Sequence, residues 1–525
     1  YTAPAAPTGL VSSAWTTTGF AVTWVAPAVG NGPAVDGYTL YERVTHEMGD
    51  VASGGVPDDV LQTMLSQSTD TVVVDTVAYD GRSSTAVSTT LSGLSGGVSY
   101  DYVVAARSSA GEGARSAALS VSTSPPAPGS LASVSQTTSS ITLSWSAPVV
   151  TTGSAVTGYK LYIDDGSSGD PSAEVSCGGA ALDTTCTASG LTGGVSYSFE
   201  VSALSTNGES VTSSVLTQST APAAVVASMV FSSVAMTSMV LTWSAPSGET
   251  PTGYIVYRDD GDSTAMPTPS IVAFEGDALT TTVDGLTGGT TYTYMVEALS
   301  GSGVGDVSGE SAQSTTPASP LDLSSVSQTS TSISLSWSAS VVSGGSAVTS
   351  YQVYRNDGSS AEASLSGTAA HTTADGSTTT ATLSGLSAGM LYSFAVSAVS
   401  DAGEGELSSV LAQSSAPGAP ASGPTSVHQT SASISLSWSA PASDGDSGAD
   451  ATGYRLYNVA GEAPALLFEG AETAYEQVEL SAGTSYSYAV SAVSGAGESP
   501  STSALVQYTA PAAPTGLVSS AWTTT

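Results

Sequence analysis

Positive charge is scarce in this sequence. Lys160 and seven arginines face 44 acidic residues, and the formal net charge is -36. Nucleic acid and anionic bilayers are bound by exchanging counterions for Lys and Arg, so neither is an expected partner. Histidine is scarcer still: His46, His371 and His428 lie in three different modules of the chain, which excludes a histidine-based triad or a clustered histidine metal site within one module. Only Cys177 and Cys186 are present, too few for a disulfide framework to define the fold. No run of 18 or more apolar residues occurs, so no membrane-spanning helix is expected. P-loop, G-x-S-x-G and H-E-x-x-H motifs are all missing. Asn31, Asn207, Asn356 and Asn458 each fail the N-x-[ST] pattern, which excludes N-glycosylation. A charged fraction of 10% among Ser, Thr, Ala and Gly would suit a disordered chain, were the apolar residues not so regularly placed.

Trp24, Trp145, Trp243, Trp337 and Trp438 each close a short alternating strand, as in ITLSW and ISLSW. A second strand opens at Tyr38, Tyr159, Tyr254, Tyr351 and Tyr454, and in GYKLYIDDG, GYIVYRDDG and SYQVYRNDG it runs into an Asp-Gly turn of the hairpin type. A third signal places a Leu before Tyr100, Tyr197, Tyr292, Tyr392 and Tyr486, in the pattern L-x5-Y, with another aromatic two residues on. Residues two apart share one face of a strand. Five such sets make five modules, expected at 1–124, 125–220, 221–316, 317–415 and 416–508. Residues 1–18 recur without change at 508–525, a period of 507 residues. Residues 509–525 are therefore expected to open a further repeat, and the chain, which starts at Tyr1 without a leader, to be one window onto a longer array. Short Pro-Ala-Ser stretches separate the modules; proline fixes φ, so a rod is expected.

This combination of a proline-rich entry, a strand-B Trp, a strand-C Tyr and an L-x5-Y corner resembles the fibronectin type III family across all five modules. The resemblance implies an all-β chain of seven-stranded sandwiches, with the strand-B tryptophans and the corner tyrosines in the cores and each corner hydroxyl bonded back to the main chain. Two departures stand out. Ser340 replaces the proline that follows the other tryptophans, and Gly or Ala replaces the usual proline of the corner.

Module one carries an insertion at about 45–75. Within it Pro57-Asp58-Asp59 reads as a helix start, and Val60, Leu61, Met64 and Leu65 follow at helical spacing. This apolar face, with the strand Val72-Val73-Val74, is the candidate assembly surface; the alternative is that it covers its own module's edge. Acidic loops, above all Asp444, Asp446 and Asp450, place oxygen ligands at short intervals as calcium sites do, although hairpin turns explain most of these residues. Asp164, Asp165, Asp170, Asp259, Asp260 and Asp262 pose the same choice. No other cofactor is indicated. Cys177 and Cys186 flank GGAALDTT and are expected to form a disulfide, which would favour an extracellular place; two free buried thiols are the alternative. The Pro-Ala-Ser joints and Ser/Thr-rich faces are candidate O-glycan acceptors.

The leading functional expectation is a non-enzymatic structural protein: the repeat unit of an extracellular filament, sheath or flagellar hair-like appendage, continuing into identical repeats. The alternatives are the stalk of a giant surface adhesin and the non-catalytic spacer of a secreted polysaccharide-degrading enzyme.

Overall fold

The structure, a computed structural model, describes residues 2–47, 60, 71–164, 170–225, 229–259, 271–356, 365, 368–442 and 450–516. Its regular elements are strands. In module one these are β1 (Thr8–Thr16), β2 (Gly19–Val25), β3 (Gly37–Glu47), β4 (Thr71–Gly81), β5 (Ser88–Ser92), β6 (Ser99–Ser108), β7 (Gly111–Arg115) and β8 (Leu119–Ser122). They form two antiparallel sheets, one in the order β1-β2-β5 and one in the order β4-β3-β6-β7, with β8 also paired to β6. The same two sheets recur in every module.

Alternation along each strand explains the packing. Phe20, Val22 and Trp24 of β2 are buried, while the residues between them are only partly covered. They meet Tyr38 and Leu40 of β3 and Tyr102, Val104 and Ala106 of β6 in one cluster. A one-residue slip would turn every one of these side chains to solvent; the register Gly19↔Ser92 and Tyr38↔Ala106 prevents it. Module four repeats the arrangement with Ile333, Leu335 and Trp337 against Tyr351, Val353, Phe394 and Val396.

The chain resolves into two compact units. The first, residues 1–226, 244–255 and 296–308, contains modules one and two with three segments of module three. The second, residues 227–243, 256–295 and 309–525, contains the rest of module three and modules four and five.

In module one the insertion lengthens a hairpin at both of its ends. β3 and β4 pair from Tyr38↔Gly81 out to Glu47↔Thr71, so Val72, Val73 and Val74 are ladder residues opposite His46, Thr45 and Val44. The equivalent pairing in module two ends at Ile163↔Ala173. Val60 is buried at 4% exposure, covered by its own chain. The expected helix otherwise falls on Leu61, Met64 and Leu65, which lie outside the described residues.

Candidate functional site at the module joints

Each joint is built from the L-x5-Y corner. The tyrosine hydroxyl turns back five residues and accepts a backbone N–H: from Ser95 to Tyr100 (2.8 Å), Thr192 to Tyr197 (2.9 Å), Thr287 to Tyr292 (3.0 Å), Ser387 to Tyr392 (2.8 Å) and Ser481 to Tyr486 (3.0 Å). The carbonyls of those same five residues then accept the hydroxyl of the first residue after the last strand. Thr123 donates to Ser95 (2.8 Å), Thr220 to Thr192 (2.7 Å), Thr315 to Thr287 (2.7 Å), Ser415 to Ser387 (2.7 Å) and Thr509 to Ser481 (2.6 Å). These five linker residues are 0 to 3% exposed. A buried hydroxyl is tolerable because it is satisfied as both donor and acceptor; Thr123, for example, also accepts the N–H of Val98 at 3.1 Å.

The linker is held further by the corner glycine. Gly97, Gly194, Gly289, Gly389 and Gly483 have φ between +68° and +72°, the left-handed region that glycine adopts without a steric penalty. Their N–H groups bond the carbonyls of Ser124, Ala221, Thr316, Ala416 and Ala510 at 2.8 to 3.2 Å. At Gly97, Gly194 and Gly289 the glycine carbonyl points the other way, into the next module. Gly97 O accepts Gly153 N–H (3.0 Å), Gly194 O accepts Glu249 N–H (2.6 Å), and Gly289 O accepts Ser343 and Gly345 N–H (2.8 and 3.1 Å). Side chains add to this. Ser99 N–H donates to Thr152 Oγ1 (3.1 Å), and Asn207 Nδ2 donates to Ser122 O (2.7 Å). The joints that follow modules one, two and three are thus tied by main-chain hydrogen bonds on both sides of the linker.

Behind the joints, the tryptophans lie edge-on to the strand-C tyrosines. Trp24 and Tyr38, Trp145 and Tyr159, Trp337 and Tyr351, and Trp438 and Tyr454 have ring centroids 5.4, 5.5, 5.5 and 5.9 Å apart, a favourable geometry for opposed quadrupoles. Trp243 makes the corresponding contact with Phe274 at 5.6 Å. Ser340 has a use that proline cannot serve: its N–H donates to the Tyr351 hydroxyl at 3.0 Å.

A carboxylate cluster on the larger sheet was not foreseen from sequence. Tyr41 donates to Glu112 (2.8 Å), Tyr162 to Glu209 (2.5 Å), Tyr354 to Glu404 (2.6 Å) and Tyr457 to Glu498 (2.7 Å). Ser202, Ser397 and Ser491 donate to the same carboxylates, each at 2.5 Å. The signal was the Gly-Glu pair after each long strand, as in AGEGARS, NGESVTS and AGESPST, which module three lacks. Burial acts to raise Glu209, but Ser202, Tyr162 and the charge of Lys160 outweigh it and hold the carboxyl below its ordinary value. Glu498 is lowered in the same way by Ser491, Tyr457 and Arg455. Tyr354 is pushed up to about 12, first by burial and then by Glu404. A stabilised carboxylate beside a tyrosine that resists ionisation suits static cross-strand bonding, since a general base needs a pKa near the working pH. Three of the eight basic residues join this face: Arg107 bridges Glu112 (2.6 Å), Lys160 lies 3.3 Å from Glu174, and Arg455 bridges Glu469 and Glu498 (2.9 and 2.8 Å). In module one Asp75 pairs with both Arg43 and Arg115.

Cys177 and Cys186 are disulfide-bonded. Of the calcium candidates, Asp444 and Asp446 lie outside the described residues, and Asp450 lines a cavity of about 320 Å³ with Gly389, Pro417 and Tyr454. Asp165, Asp260 and Asp262 are also outside them, and Asp259 accepts the Thr293 N–H at 3.1 Å. Among the described residues no three of His, Cys, Asp and Glu group as metal ligands, and no helix is long and apolar enough to cross a membrane.

Paired antiparallel sheets, an edge-on core tryptophan and a tyrosine corner define a tandem β-sandwich protein. The chain belongs to the fibronectin type III family, whose domain pattern matches residues 5–122, 125–219, 223–315, 318–414 and 418–508. Exoglucanase B of Cellulomonas fimi is 31% identical over 306 residues, 54% of this chain and 24% of the exoglucanase. Chitinase A1 of Niallia circulans is 39% identical over 170 residues, 30% of this chain and 23% of the chitinase. Neogenin of Rattus norvegicus is 30% identical over 220 residues, 39% of this chain and 14% of neogenin. The chain thus matches about a quarter or less of each relative's length.

Proposed function

We propose that this chain is the structural repeat unit of an extracellular filament, sheath or flagellar hair-like appendage, its modules acting as non-catalytic spacers. The observation that carries the reading is the joint. Five linker hydroxyls are buried and doubly bonded, and in the joints that follow modules one, two and three the corner carbonyl is held by the next module's main chain. Such bonding restricts rotation between neighbours, which a spacer requires and a flexible tether does not. The disulfide supports an oxidising location. O-linked glycans, if carried, belong on the exposed Ser/Thr faces, because the joint hydroxyls are already occupied. The apolar set Val60, Leu61, Met64 and Leu65 is proposed for lateral packing through its last three members, Val60 being covered.

A second reading, the spacer of a secreted polysaccharide-degrading enzyme, is favoured by the likeness to an exoglucanase and a chitinase; an adhesin stalk would use the same joints. Negative-stain microscopy of native material decides between them. Uniform filaments with a constant axial repeat are expected. Isolated molecules in which a single copy adjoins a carbohydrate-active domain would overturn the filament in favour of the spacer.

A further inference from the structure

Three joints show what the loop after each core tryptophan is for, and the corresponding loop of module one has the same form with nothing on it. Trp24 to Tyr38, Trp145 to Tyr159 and Trp337 to Tyr351 are equally long, so Gly32 aligns with Gly153 and Gly345, and Asn31 with Thr152. Glycine is required at the last two sites. A Cβ at Gly153 would lie 2.5 Å from the Gly97 carbonyl carbon, and one at Gly345 would lie 2.4 Å from Gly289 O. At Gly32 the nearest atom to such a Cβ is Thr2 O, at 3.8 Å. Gly32 therefore has the form of a joint glycine without the contact that demands one. The loop and the entry segment instead bound an open cavity of about 300 Å³, lined by residues that include Thr2, Pro4, Pro27, Val29 and Gly32.

The complementary part is present at module five. Gly483 has φ +68° and open space around it, whereas a Cβ at its equivalent Gly289 would lie 2.8 Å from Val341 O. Residues 509–516, which follow module five, read TAPAAPTG, as do residues 2–9, which precede module one. Thr509 is 3% exposed on its corner, while Thr2 is exposed.

We propose that the cavity of module one is a joint socket whose occupant is the corner of module five from a preceding copy of this chain, joined through the shared TAPAAPTG linker. In that joint Thr2 takes the place of Thr509 and its hydroxyl donates to the upstream Ser481 carbonyl. Gly32 N–H donates to the upstream Gly483 carbonyl, as Gly153 does to Gly97. The Asn31 side chain accepts the upstream Ser485 N–H, as Thr152 accepts Ser99. A separate chain fits less well, because its module five already bonds its own Ala510. The inference rests on the reading of the chain as a repeating unit, and it specifies how successive units meet.

The test is a chain in which residues 1–507 run directly into a second full copy, followed by amide hydrogen exchange of the Gly30–Gly32 peptide. In the single chain one fast population is expected. In the doubled chain half of the peptide, that of the second copy, should exchange about tenfold or more slowly, a local protection set by hydrogen bonding. Gly32→Val in the second copy should return it to one fast population while the core amides of both copies stay protected. A single fast population in the doubled chain with both cores protected overturns the socket, as does a slow population that survives Gly32→Val. Neither result depends on microscopy, so the socket can fail while filaments are seen, and filaments can be absent while the socket stands.

Discussion

Modules two and four share a fold and solve one problem in two ways. In both, the chain must cross from the edge of the larger sheet to the outer strand of the smaller one. By register, Cys186 sits opposite Leu143 as Ala381 sits opposite Leu335, and Cys177 occupies the place of Thr373. Module two closes the crossing covalently. Module four has no sulfur there and uses hydrogen bonds. Thr373 is 4% exposed, accepts the Tyr351 N–H (2.8 Å) and donates to Asp375 O (2.8 Å). One oxygen of Asp375 accepts the backbone and hydroxyl groups of both Ser377 and Thr378 at 2.8 to 2.9 Å. The crossing is thus a fixed demand of the sandwich, while the means of holding it is free to vary.

The largest effect should be blind to that difference. Trp145→Ala and Trp337→Ala should each cost their module about 3 to 5 kcal/mol, since both remove a buried ring of the same packing. Module-specific amide exchange in the full chain measures it, and a much smaller loss in module two would mean that the disulfide shares the work of the core. Next comes the crossing itself. Reduction, or Cys177→Ala with Cys186→Ala, should destabilise module two by about 3 kcal/mol in the chain-entropy picture of a short closed loop and leave module four unchanged. Equal effects in both modules would mean that they are thermally coupled.

Smaller losses, about 1 kcal/mol each, are expected in module four for Tyr392→Phe, which strands the Ser387 N–H, and for Ser340→Pro, which strands the Tyr351 hydroxyl; thermal melting checks both. The smallest effect is acid. Hydrogen bonds from Ser377 and Thr378 hold Asp375 below its ordinary value of 3.8. A carboxyl lowered by folding contributes stability that is present above that value and is lost as the pH falls through the lowered one. Module four should therefore weaken below about pH 4, and Asp375→Asn should flatten that part of its pH profile. An unchanged profile would show that the turn contributes nothing.

The sequence by itself determined the module count and the strands, because alternation and the spacing of Trp, Tyr and L-x5-Y are local patterns that a strand converts directly into a buried face; the sandwich and its cores followed from the family resemblance that those patterns carry. The corner bond, whose donor and acceptor are five residues apart, was expected from the resemblance to the fibronectin type III family. What joins distant segments was not. Tyr162 and Glu209 meet only because strands pair in one register; the Gly-Glu pair marks the carboxylate but not the tyrosine that it meets. Gly153 and Gly345 read as ordinary turn glycines until the neighbouring module is in place, since the need for glycine comes from another backbone approaching and not from φ. The chain decided which faces would be buried; tertiary packing alone decided which backbones come close enough to exclude a side chain.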